Sequence, residues 1–151
     1  MSDGGISIQA LGGAVALASA ESGLAVVSTL RADLTIQSTL VNVALMRHPI
    51  TDDDVLAFVT YGAVKLANLR ARPQVTVTFR RGWQFATVEG LAEIVSDDDG
   101  SGLDAQRVRG LRREVFVTAG GTHDDWDEYD RVMDAEGRVV VLIRPTRLYP
   151  R

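Results

Sequence analysis

The chain has 151 residues, 46% of them apolar and 24% charged, enough for one ordinary domain with a buried core. A net charge of −4 argues against a nucleic-acid partner, which would call for a basic face. The absence of cysteine excludes disulfides, thiolate metal sites and cysteine nucleophiles, and two histidines are too few for a histidine-rich metal centre.

The N-terminus carries Asp3 and glycines rather than a basic segment, and no apolar run approaches about 18 residues. Neither a signal peptide nor a membrane span is expected, so the chain is taken as a cytoplasmic protein. Gln9 to Ala20 is rich in alanine and leucine and predicts a short helix, stopped near Ser22-Gly23. Leu24 to Leu30 and Leu34 to Met46 predict two strands joined through the polar Arg31-Ala32-Asp33. Pro49 to Asp54 forms a turn, and Val55 to Tyr61 a third strand. Ala63 to Ala71 holds good helix formers, with Leu66 and Leu69 on one face, and Pro73 ends it.

Gln74 to Arg80 alternates Val75, Val77 and Phe79 with polar residues, the pattern of a half-buried strand. Arg81-Gly82 turns the chain into a long strand from Trp83 to Val95, which Glu89-Gly90 should bend. Ser96 to Gly102 is an acidic loop. Leu103 to Val117 and Thr122 to Glu136 predict helices, and Val139 to Ile143 predicts a last strand, stopped at Pro145. Asp52-Asp53-Asp54 and Asp97-Asp98-Asp99 suit turns, since neither has the alternating ligands of a calcium loop. His123-Asp124-Asp125 suits the first turn of a helix capped by Thr122 better than an acid–base cluster. The expectation is a mainly β domain over 1–151 with flanking helices: six antiparallel strands closed into a small barrel, whose sticky outer face favours a dimer.

Chemistry is best sought between Thr60 and Pro73. A strand ends at Tyr61, Gly62 allows a tight turn, and a helix begins near Ala63 with free backbone N–H groups. Lys65 in that first turn is disfavoured by the helix dipole unless an anion lies between them; otherwise it simply points into solvent. Gln37 and Ser38 have the donors and acceptors to meet a flavin-like ring, or belong to a solvated strand face. Trp83 suits a stacking residue, a dimer anchor or a core aromatic flanking a turn. Asn68, a poor helix former, either reaches a neighbouring loop or lies on the surface. No nucleophile elbow, Walker loop or Rossmann glycine pattern is present.

Lys65, Leu69 and Pro73, following a strand that ends in Thr60, resemble the cofactor-phosphate segment of the pyridoxamine-phosphate-oxidase-like, FMN-binding split-barrel family. The Gly82-Trp83 turn leading into Thr87-Val88-Glu89-Gly90-Leu91-Ala92-Glu93 is similar to that family too. So is the closing strand Val139 to Ile143 with Pro145 and Tyr149. The likeness covers about residues 22–149 and is nearest the actinobacterial branch that uses the deazaflavin coenzyme F-420.

The resemblance implies a six-stranded antiparallel split barrel, homodimeric, with two cofactor sites at the subunit interface. The cofactor phosphate would lie on the segment carrying Thr60, Gly62, Ala63, Lys65, Asn68 and Arg72. The ring would rest near Gln37, Ser38 and Thr39, and Trp83 and Gln84 would come from the other subunit. Two departures stand out. Ala63 occupies a position where FMN oxidases of the family have serine, and Arg72 one where they have asparagine. Arg70 and Arg72 would suit the anionic tail of the deazaflavin, unless they belong to a solvated helix face. The implied activity is hydride transfer from reduced F-420 to an electron-poor small molecule, with Tyr61 as a candidate proton donor. The alternatives are an FMN-dependent oxidase or reductase, or a non-catalytic flavin or haem carrier.

Overall fold

The computed structural model describes residues 6–96 and 103–150. The expected acidic loop therefore lies outside the described residues from 97 to 102, and Asp97-Asp98-Asp99 with it. The first helix, α1 (Ile8–Ala16), is capped by Ser7, whose side chain accepts the Ala10 N–H at 3.1 Å. It ends earlier than the alanine-rich run suggests, and a short 3-10 turn over Ser19–Glu21 follows. Ser22 and Gly23 then adopt left-handed backbone and feed β1 (Leu24–Leu30).

The expected strand from Leu34 to Met46 is two strands, β2 (Ile36–Asn42) and β3 (Ala44–Arg47). The break has a local cause. The Val43 N–H leaves the ladder and donates to Gly23 O at 2.9 Å, and the Asn42 amide donates to Ser22 O at 3.0 Å. Gly23 has φ +74°, and a Cβ there would stand 2.3 Å from Val43 O, so only glycine lets the two segments meet. β4 (Asp54–Thr60) follows a turn built on His48. The His48 Nδ1 accepts the N–H groups of Ile50 and Thr51, and its Nε2 lies 2.9 Å from the Glu93 carboxylate.

After α2 (Ala63–Ala71) come β5 (Gln74–Arg81) and β6 (Gln84–Val95), then α3 (Ala105–Thr118), α4 (Trp126–Ala135) and β7 (Val139–Tyr149). Pro145 does not stop β7. It sits opposite Gly90, where the β6–β7 register shifts between Glu89 and Gly90, so the missing N–H falls at an irregularity already in the ladder. The α4 cap is Asp125, accepting from the Glu128 N–H at 3.1 Å, and not Thr122; the helix starts four residues later than expected, at Trp126.

The sheet therefore has seven strands, in the order β2-β1-β5-β6-β7-β4-β3, all antiparallel to their neighbours. It is not a closed six-stranded barrel: β2 pairs only with β1, β3 only with β4, and both are free edges among the described residues. The seventh strand arises from the break at Val43, and the same break leaves no ladder to join the two edges.

β4 and the first half of β7, Val140 to Ile143, are buried on both faces, which explains their unbroken apolar runs. Leu56, Phe58, Val141 and Ile143 face a core shared with α1 and α2. Val55, Ala57, Val140 and Leu142 face a second core built on Val108, Leu111 and Val115 of α3.

Candidate functional site

The β4–α2 junction and the start of β7 meet because β4 and β7 pair with Thr60 opposite Val139. That register sets Arg138 beside Tyr61, and the guanidinium stacks on the phenol ring, 4.3 Å from its centroid. Gly62 caps α2 with no side-chain hydrogen bond, no acidic residue follows in the first turn, and Leu66 is the first residue whose N–H finds a helical carbonyl, Gly62 O at 3.0 Å. The amides before it stay available at the positive end of the helix.

Lys65 does not point into solvent. Its side chain is buried, 5% exposed, with Nζ 2.8 Å from the Thr60 hydroxyl and 5.7 Å from the centre of the Phe58 ring. Burial holds the ammonium below the usual lysine range, and the positive charge of Arg138 adds to the effect. Among the described residues no carboxylate pairs with it. A buried cation with only a neutral partner is costly, and an anion brought into its cavity would relieve the cost.

That cavity has a volume of about 830 Å³. One wall is the end of β2 and the β4–α2 junction, with Thr60, Tyr61, Gly62 and Lys65. The opposite wall is apolar, from Val115 and Phe116 of α3 and from Tyr129 and Met133 of α4. Tyr129 is buried, donates its hydroxyl to Arg112 O at 3.3 Å, and is held in its protonated form by desolvation. A polar, cationic end and an apolar slot suit a ligand with an anionic group and an apolar body.

Of the residues marked by sequence, Thr60, Gly62 and Lys65 line this cavity. Ala63 is exposed at the first turn of α2. Asn68 is buried and carries a relay: its amide donates to Thr29 Oγ1 at 3.0 Å, and Thr29 donates to the Gln37 carbonyl at 3.3 Å. Gln37 and Thr39 share the inner face of β2, whereas Ser38 lies on the outer face against Ser28 at 2.8 Å. None of the three lines the cavity, whereas Leu40, Val41 and Asn42, just beyond them, do. Arg72 donates from Nε to Leu30 O at 3.1 Å, and Arg70 is exposed in the last turn of α2. Both lie at the end of α2 away from the cavity. Trp83, fully exposed, and Gln84 sit at the β5–β6 turn, also away from it.

The cavity residue that sequence reasoning missed is Arg138. A signal for Arg138 was present: Gly137 follows a helix, and its left-handed φ of +65° completes a C-terminal cap. The Gly137 N–H donates to Asp134 O and the Arg138 N–H to Met133 O, a Schellman turn that delivers Arg138 into β7.

The sequence profile described as pyridoxamine 5'-phosphate oxidase matches residues 13–150. Among solved structures, the chain is similar to a conserved hypothetical protein from Mycobacterium tuberculosis, with TM-score 0.64 and 20% identity over 98% of this chain and 86% of that one. It is similar to an F-420 reductase, with TM-score 0.56 and 21% identity over 83% and 88%. A third likeness is to a protein of the pyridoxinephosphate oxidase family from Clostridium acetobutylicum, related to a general stress protein, with TM-score 0.58 and 12% identity over 95% and 88%. At these identities the likenesses concern the fold.

Proposed function

Because the chain belongs to the pyridoxamine 5'-phosphate oxidase family, a flavin-binding oxidoreductase fold family, we propose that it is a flavin-dependent oxidoreductase whose cofactor phosphate is held by Lys65 at the start of α2. The observation that carries this reading is the buried Lys65 ammonium, which lines the cavity and, among the described residues, has no hydrogen-bond partner but the Thr60 hydroxyl. FMN is the first cofactor to expect. One part of the case for the deazaflavin, that Arg70 and Arg72 would receive its anionic tail, loses support, since Arg72 donates to Leu30 O and Arg70 is exposed in the last turn of α2. The deazaflavin stays as the second reading, on the likeness to the F-420 reductase and on Ala63, which brings no hydroxyl to the first turn of α2.

A bound flavin or deazaflavin supplies the two-electron redox chemistry. The chain supplies the setting. Lys65 and the free amides of α2 bind and orient the anionic end. Val115, Phe116 and Met133 keep water from the apolar body. Tyr129 is committed to Arg112 O and gives up no proton, whereas Tyr61 makes no hydrogen bond among the described residues and serves as the proton donor.

A homodimer belongs to the same reading. The outer face of β2, β1, β5 and β6 carries Val26, Ile36, Leu40 and Phe85, all exposed, with Trp83 at its margin. The test is titration of the purified protein with FMN and, separately, with the deazaflavin coenzyme, in wild type and Lys65→Ala. FMN should bind in preference, and the variant should lose about 1.5–3 kcal/mol, tenfold or more, as for a hydrogen bond to a charged group. Preference for the deazaflavin would select the second reading. Binding of neither would overturn both.

A further inference from the structure

Arg138 is the second cation of the cavity, and it is not free. Its Nε lies 2.6 Å from the Glu136 carboxylate, its guanidinium rests on the exposed Tyr61 ring, and its side chain is 26% exposed. The backbone that carries it is fixed on both sides. The Arg138 N–H donates to Met133 O at 3.0 Å, and its carbonyl accepts from Arg112 Nη1 at 3.1 Å. What remains adjustable is the choice of counter-ion. Glu136 is the exposed last residue of the α4 cap, two positions away and itself 40% exposed, so its hold on Arg138 is a solvent-screened ion pair.

We propose that Arg138 is a second phosphate-binding group of this cavity, kept occupied by Glu136 until the phosphoryl group of a flavin nucleotide replaces that carboxylate. The inference rests on the cofactor reading of Lys65 and deepens it. A phosphate monoester carries close to two negative charges near neutral pH, one more than a lysine can balance alone. The planar guanidinium can meet two of its oxygens at once. Until the ligand arrives, the Glu136 carboxylate offsets part of the positive charge that Lys65 and Arg138 place in one cavity. Glu136 thereby sets a threshold: a ligand must carry enough negative charge to outcompete a carboxylate, which favours FMN over its unphosphorylated parent.

The experiment compares FMN and riboflavin binding to wild type, Glu136→Gln and Arg138→Gln, with thermal melts to check folding. Wild type should prefer FMN. Glu136→Gln, which keeps shape and removes the competing charge, should bind FMN about two- to fivefold tighter, with riboflavin unchanged. Arg138→Gln should bind FMN roughly tenfold more weakly, also with riboflavin unchanged. Inorganic phosphate should compete with FMN and not with riboflavin. A wild type without preference for FMN over riboflavin overturns the cofactor reading and this inference with it. A preference left undiminished by Arg138→Gln, or a Glu136→Gln variant that binds FMN no tighter, overturns the inference alone.

Discussion

At the residue scale the decisive group is Lys65. Its ammonium is held below the ordinary lysine range by burial, and then by Arg138. The unfolded chain therefore binds a proton that the folded chain holds less tightly. Between the lowered folded value and the ordinary value of 10.5, stability of the ligand-free protein rises with pH; below that window the full penalty applies. Lys65→Met should raise the melting temperature of the ligand-free protein at neutral pH and flatten its rise toward pH 10, as read in a series of thermal melts. A melt series identical to wild type would mean that the ammonium is solvated in the folded state. Thr60, Gly62 and Lys65 were legible because strand end, glycine and helix start are adjacent in the chain. Arg138 was not, because the β4–β7 register that sets it beside Tyr61 is a long-range fact.

At the scale of elements, the apolar wall stands where it does because α3 and α4 are tied together by charge. Arg112 is buried and donates from Nη2 to Asp134 at 2.6 Å; Arg109 reaches the same carboxylate, and Arg113 pairs with Asp130. The hydrogen bond from Arg112 holds the Asp134 carboxyl below its ordinary value, assisted by Arg109. This contribution is present above about pH 4 and lost as pH falls through the lowered folded value. Arg112→Met should cost about 1–3 kcal/mol in chemical denaturation, since it strands Arg138 O and removes the nearer cation from Asp134. It should also loosen the cavity wall, weakening riboflavin as well as FMN, unlike Arg138→Gln. Both helices were legible in the sequence, α3 beginning two residues later than expected, at Ala105. The α4 cap was misplaced because Thr122 and Asp125 are both good capping residues, and only Asp125 reaches an open amide, that of Glu128.

For the whole molecule, the alternation of β5 and the apolar runs of β4 and β7 made the strands legible, and Glu89-Gly90 marked the irregular register. Strand count and closure were not legible. Val43 is an ordinary β-former, and nothing local says that its N–H will be taken by Gly23 O. The exposed apolar face bears on assembly. Sedimentation should give a particle of twice the 16.3 kDa chain, and Phe85→Arg should shift it toward the monomer without lowering secondary structure. A wild-type monomer at micromolar concentration would remove the dimer from the reading.

The break at Val43 has a mechanical meaning. The sheet is a strip whose two ends are consecutive in the chain, stitched to each other by one residue. Leu40 to Asn42 lie on one side of that stitch and the end of β4, next to β3, on the other, and both border the same slot. Val43 itself is fully buried in the core, and its N–H on Gly23 O, together with the Asn42 amide on Ser22 O, pins the stitch in place. A ligand that touched both borders of the slot would act as a clasp across the open seam of the sheet.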